Sequence, residues 1–199
     1  WFHQRKSSGG AASGAAGEAP LGILAMLQAR IGQLPAHLRQ LLRAASVFGE
    51  SACLGGVAAL LQRREDSELA AQVKALEERE ILLTSASSRY AGQTELRFRH
   101  SLMRDAAYSL LMEDDRALGH RLACLFLEEQ GETEAALLAE HARRGNDLPR
   151  AALHYSAAAE QALAGNDVIS ALKHAQAGLS CAPTGAVLGL LRTIEAMAS

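Results

Sequence analysis

Aromatic residues make up only 4% of this 199-residue chain, which also has just four prolines and three cysteines. Hydrophobic residues still reach 49%, and about a fifth of the chain is alanine, so the apolar content is largely Ala and Leu. That balance favours packed helices over sheets, whose strands draw on β-branched and aromatic side chains. Cys53, Cys124 and Cys181 are odd in number and far apart. A disulfide framework or a CxxC metal site needs clustered thiols, so they read as small buried hydrophobes in a reducing cytosol, with no metal expected. Neither charge sign dominates, with 20 Lys+Arg against 22 Asp+Glu and a net charge of -2. A polybasic tail and an acidic solvating chain are both excluded. No apolar run approaches the ~20 residues of a membrane-spanning helix, and no basic-then-apolar leader opens the chain. The expectation is a soluble, cytoplasmic protein with no membrane partner. Trp1 stands where Met would be, which suggests that the chain begins inside a longer protein or has been processed.

Ser7 to Pro20 reads SSGGAASGAAGEAP. Such a Gly/Ala/Ser stretch cannot bury enough apolar surface to order itself, so residues 1–20 are expected to be a flexible linker. It contains neither GxGxxG nor a GxxxxGK phosphate loop. Beyond it, Leu24, Leu27, Ile31 and Leu34 recur at helical spacing, and after Pro35 so do Leu38, Leu41, Leu42, Ala45 and Phe48. Leu54 to Leu61 marks a third helix, and Asp66 caps a fourth through Leu76. The period then changes: Ile81 to Thr84 is β-prone, the following residues are turn-rich, and Tyr90, Leu96 and Phe98 alternate with polar residues as in a hairpin. Helices followed by a small hairpin suggest a winged helix over residues 21–113.

From His100 onward the spacing is helical again. The last third divides into Thr133–Arg144, Leu148–Ala164, Val168–Cys181 and Thr184 to the end, with Gly-Asn-Asp recurring at 145–147 and 165–167. Residues 152–183 resemble one tetratricopeptide repeat: Tyr155, Ala158, Ala159 and Ala162 match its first helix, and Ala171, Leu172, Gly178, Leu179 and Pro183 its second. Gly178 stands where a small Ala is usual and Ala175 where an aromatic is usual. Because such solenoids need about three repeats, residues 114–199 are expected to be the start of a truncated array. The fold expected overall is mainly α: a winged helix with its hairpin, then antiparallel helix pairs.

The block with chemical content is Arg97 to Tyr108, R-F-R-H-S-L-M-R-D-A-A-Y. Together with Leu24–Arg30, Leu34-Pro35, Leu41–Gly49 and Asp115–Ala123, it resembles the winged-helix region of STAND-class signalling ATPases. In these bacterial regulators an AAA-like nucleotide-binding module precedes a winged helix and tetratricopeptide repeats. The resemblance runs from Pro20 to Pro183. It implies that His100 occupies the place of the family histidine that touches the β-phosphate of bound ADP and holds the closed state. Arg104 and Asp105 would match the motif's later pair, with Arg104 a second candidate for nucleotide contact, while Ser101 replaces a frequent Asp. An imidazole at a strand-to-helix junction, beside helix N-terminal N–H groups, suits an anion. Read from the residues alone, His100 is equally a plain junction or capping histidine. Arg97 and Arg99 then read as solvated, and Arg104–Asp105 as a local ion pair worth roughly 0–1 kcal/mol.

Among the other histidines, His120, His141, His154 and His174 lie on separate helices without an i, i+4 pair or an H-E-x-x-H pattern, so no metal site is expected. Glu77–Glu80 and Glu128-Glu129 read as solvated helix ends, and Gly49–Cys53 lacks the last glycine of a nucleophile elbow. No catalytic residue is expected in this chain, and no cofactor of its own. What the resemblance implies is a regulatory segment of a parent ATPase that binds ATP and ADP and is fused to a serine/threonine protein kinase, nucleotide cyclase or transcriptional regulator. Its partners would be the upstream nucleotide-binding domain and a protein or small-molecule ligand on the repeats. Two other readings are a winged-helix DNA-binding regulator and a plain interaction scaffold. DNA binding is disfavoured, since Leu54–Leu61, taken as the groove helix, has no basic residue before Arg63 and Arg64. The chain is therefore expected to show no salt-dependent shift of duplex DNA even at low ionic strength, and a shift that weakens steeply with salt would reinstate DNA recognition.

Overall fold

The computed structural model describes residues 21–85 and 88–198. The linker expectation for residues 1–20 lies outside the described residues. Within them the chain is mainly helical, with ten helices and a small three-stranded antiparallel sheet. None of those helices is long and apolar enough to cross a membrane.

The first core gathers α1 (Leu21–Gly32), α2 (Ala36–Val47), β1 (Ser51–Cys53), α3 (Leu54–Leu60), α4 (Ser67–Glu77), β2 (Leu82–Ser85), β3 (Glu95–Phe98) and α5 (Ser101–Ser109). Its centre is α2, whose Leu38, Leu41, Leu42 and Ala45 recur every three to four residues and are all buried. Asp66 caps α4, its carboxylate accepting from Leu69 N–H at 2.8 Å. The sheet runs β1-β3-β2, with Leu82 opposite Phe98 and Thr84 opposite Leu96. Leu82, Leu96 and Phe98 face the helices while Leu83 and Arg97 face solvent, the alternation a half-buried strand requires. Sequence reasoning expects only the hairpin. The third strand, β1, is three residues long, too short for alternation to register against its neighbours, and its pairing with Glu95–Arg97 depends on tertiary contact.

Five further helices follow: α6 (Glu113–Glu129), α7 (Ala135–Arg144), α8 (Leu148–Ala164), α9 (Val168–Ser180) and α10 (Gly185–Ala198). Each packs against the next, and α10 also packs on α8. The recurring Gly-Asn-Asp has one structural cause at both places. Asn146 and Asn166 adopt left-handed φ values of 56° and 58°. At the first turn, Asp147 N–H reaches back to Ala142 O and Asn146 N–H to Arg143 O; at the second, Asp167 reaches Ala162 O and Asn166 reaches Leu163 O. That is the Schellman pattern of a helix end. The Asp then caps the next helix, accepting from Arg150 N–H and Ser170 N–H respectively. Three residues thus end one helix and start another twice over.

α6 also lies against α2 and α3, so it joins the first core to the helical hairpins. The approach is close because residue 119 is glycine: a Cβ there would stand 3.1 Å from Val47 Cγ2. Gly178, which departs from the usual repeat residue, answers a similar demand between α8, α9 and α10. A Cβ at 178 would meet Leu191 Cδ1 at 2.9 Å and Tyr155 Cβ at 3.1 Å, both on buried residues. Gly178→Ala is therefore expected to destabilise the fold by about 1–3 kcal/mol through overpacking, read as a lower denaturation midpoint at unchanged m-value.

Candidate functional site

The strand-to-helix junction sets the geometry of the expected nucleotide contact. His100 follows β3 with extended φ and ψ of -136° and 131° and is the N-cap of α5. Its carbonyl accepts from Met103 and Arg104 N–H, starting the helix, while its ring makes no capping bond and is exposed. Arg104, one turn on, pairs with Asp105 at 2.6 Å, and its Nε is buried without a partner. His100 and Arg104 thus share the N-terminal part of one helix, joined through the backbone from Arg104 N–H to His100 O at 3.4 Å. Arg97, on the solvent face of the central strand, and Arg99, just after it, are exposed and paired with Glu95 at 3.1 Å and Glu80 at 3.6 Å.

Arg104, not His100, lines a cleft of about 480 Å³ between the first core and the α6–α7 hairpin. Its inner wall is a chain of polar rings. Tyr108, two turns beyond His100 on α5, places its hydroxyl 2.8 Å from His120 Nε2, and His120 Nδ1 lies 3.0 Å from His141 Nδ1. Both histidines are buried. Arg116 stacks over the Tyr108 ring at 5.0 Å, and the Phe48 ring lies 6.1 Å from that of His141.

An Nδ1–Nδ1 contact needs one proton and one bare lone pair, so neither ring can be an imidazolium donating along it while the other is too. With His120 as donor, its Nε2 is bare and accepts the Tyr108 proton. With His141 as donor, His120 carries its proton on Nε2 and gives it to the Tyr108 oxygen. Burial disfavours the charged forms. His120 is pushed down to about 3 by desolvation first, then by the charge of His141 and of Arg144. His141 falls to about 4 by desolvation, then by Arg144. At the rim, burial alone would raise the Glu140 carboxyl, but hydrogen bonds from Arg143 and Arg144, at 2.8 and 2.6 Å, outweigh it and hold it well below its usual range.

The expectation that these histidines are scattered is therefore corrected: His120 and His141 meet through the antiparallel packing of α6 and α7. The signal was present in the periodicity. His120 shares its helical face with Ala123, Cys124 and Leu127, and His141 lies between Leu138 and Ala142, all buried. Each imidazole sits on an apolar face, and two such faces on consecutive helices must oppose. Glu128 is corrected likewise. It is half-buried between α6 and α8, bonded to His154 Nε2 at 2.6 Å and to Arg150. Tyr90, expected in the hairpin, lies in the segment before β3 and gives its hydroxyl proton to Glu132, which Arg89 also pairs at 2.8 Å.

Comparison with family models, with curated proteins and with solved structures yields no match. The cleft must be judged on its own chemistry: a neutral donor–acceptor relay flanked by two arginines and two carboxylates, joining α5 to α6 and α7. The lowered histidines give a pH dependence with a definite sign. Unfolded histidine binds protons below its ordinary 6.5, whereas the folded pair does not until about 4 and 3. Stability is thus complete above pH 6.5 and is withdrawn as pH falls from 6.5 towards 4 and 3. Lowering pH from 7 to 5 is expected to cost roughly 1–2 kcal/mol per histidine, measured by urea unfolding. In His141→Gln that slope should be about halved.

Proposed function

We propose that this chain is a non-catalytic regulatory segment of a STAND-type signalling ATPase, acting in the cytoplasm. In this reading it packs on an upstream nucleotide-binding module and couples the nucleotide's state to a repeat sensor. The order helix–strand–helix–helix–strand–strand from α2 to β3, with sheet order β1-β3-β2, supports a winged helix. Successive antiparallel helices closed by identical Gly-Asn-Asp turns, with α10 back on α8, support a tetratricopeptide-like array.

The single observation that carries the coupling is α5. Its N-terminus presents the exposed His100 ring beside free helix N–H groups, a place suited to a phosphate. Its far end, about 12 Å away at 1.5 Å per residue, places Tyr108 in hydrogen-bond contact with α6 and, through His120, with α7. A helix of nine residues held at both ends transmits displacement rather than absorbing it. ADP bridged by His100 would hold the first core against the nucleotide module. Ligand on the repeats would pull on the same helix through Tyr108, a two-state element biased from two sites.

A DNA-reading winged helix is less well supported. The helix just before the hairpin is α4, not the Leu54–Leu61 helix, and its only basic residue, Lys74, stands against Glu68 and Glu77. The test begins with the reading frame upstream of Trp1: a GxxxxGK loop after an apolar strand is expected within roughly 150–350 residues, one to two domain lengths. In that full polypeptide His100→Ala should lose co-purifying ADP while keeping its far-UV circular dichroism. Undiminished ADP in the variant would sink the reading, as would the lack of any nucleotide module.

A further inference from the structure

A second polar cluster lies away from the cleft, where side chains of α8 reach α6. Cys124 and Glu128, four residues apart on α6, face the same way, and His154 on α8 faces them. One donor atom from each residue, Sγ, carboxylate O and imidazole N, falls within 4.8 Å of the other two. We propose that these three side chains form a binding site for a single divalent transition-metal ion of the zinc type, joining α6 to α8.

The donor set suits such an ion. Thiolate, imidazole and carboxylate are together the ligands of borderline metals, and not of calcium or magnesium, which take oxygen. A tetrahedral zinc centre separates such donors by roughly 3.3–3.6 Å, given metal–ligand lengths of about 2.0–2.3 Å. The present separations bracket this: His154 Nε2 stands 2.6 Å from Glu128 Oε1, and no pair exceeds 4.8 Å. Side-chain movements of about an ångström suffice to centre an ion among them.

The surroundings are graded. Cys124 is buried among the apolar side chains of α6, α7 and α8, such as Leu127, Leu138 and Ala151, its thiol held by a long 3.6 Å contact to Leu138 O. Glu128 and His154 retain 26% and 15% exposure, which leaves an entry path and a fourth position open to water. The two Glu128 oxygens have separate tasks. Oε1 meets His154, while Oε2 accepts from Nη1 of Arg150, whose Nε donates to Asp147 Oδ2 at 3.1 Å. Arg150 therefore orients the carboxylate as an outer partner and leaves Oε1 for the ion. Its positive charge opposes a cation, but thiolate and carboxylate together bring two negative charges. Binding breaks the Cys124 S–H bond and releases that proton to solvent, and His154, whose Nε2 donates to Glu128 Oε1 when no ion is bound, ligates as the tautomer with its proton on Nδ1 and Nε2 bare.

The proposal is independent of the nucleotide-switch reading and is tested on this chain alone. After chelator treatment, Co²⁺ is titrated in and its absorption followed. One equivalent per chain, with tetrahedral ligand-field bands and a thiolate-to-cobalt charge-transfer band, is expected, and Zn²⁺ should bleach both. Cys124→Ser and His154→Gln should each lose the charge-transfer band or require at least tenfold more Co²⁺, with circular dichroism unchanged. Cys53→Ser and Cys181→Ser should keep the band. His154→Gln, at a partly exposed position, secures the test if Cys124→Ser misfolds. Cobalt bound without a thiolate band, a band that survives Cys124→Ser, or no binding at millimolar Co²⁺ would overturn the site.

Discussion

The contact on which this architecture turns is the one between two uncharged imidazoles, His120 on α6 and His141 on α7. Two helices could bring apolar side chains together there at lower desolvation cost, since each buried ring must find a partner for both nitrogens. His120 meets that demand at both nitrogens, through Tyr108 and His141, and His141 meets it at Nδ1, so that α5, α6 and α7 share one polar chain. Its geometry excludes a second proton on the pair, and burial keeps the first from being added. The close approach at Gly119 and the Phe48 ring between the two cores depend on the same docking of α6 against α2.

Much of the helical layout was legible from spacing alone. Leu38, Leu41, Leu42 and Ala45 mark the face of α2 that is buried, and Asp66 caps α4 as its position suggests. The break between α7 and α8 and that between α8 and α9 fall at Gly-Asn-Asp, because those residues carry both the left-handed turn and the next cap, and α9 ends just before Ala182, which is also left-handed. The strand β1 was not legible, since three residues cannot show a period and their partner lies more than forty residues away.

The candidate site was legible only in part. His100 emerges at the strand-to-helix junction where its motif puts it, exposed and without a capping role. Arg104 turns to the cleft and pairs locally with Asp105, as neighbouring opposite charges do. The histidine pair was hidden because its members are 21 residues apart and neither fits a metal-ligand spacing. Only their position on apolar helical faces gave them away. Cys124, Glu128 and His154 were hidden for a related reason: a helix two places along the chain returns to α6, a contact that pairwise spacing cannot express.

Ring ¹⁵N and ¹H NMR of the histidines between pH 7 and pH 4 tests the central claim most directly. The account predicts that two of the seven rings stay neutral throughout the range around 6.5, with one Nδ1-protonated and the other bare at Nδ1, and that only one such ring remains in His120→Gln. Titration of all seven rings near 6.5, or two Nε2-protonated tautomers with no shared Nδ1 proton, would contradict it.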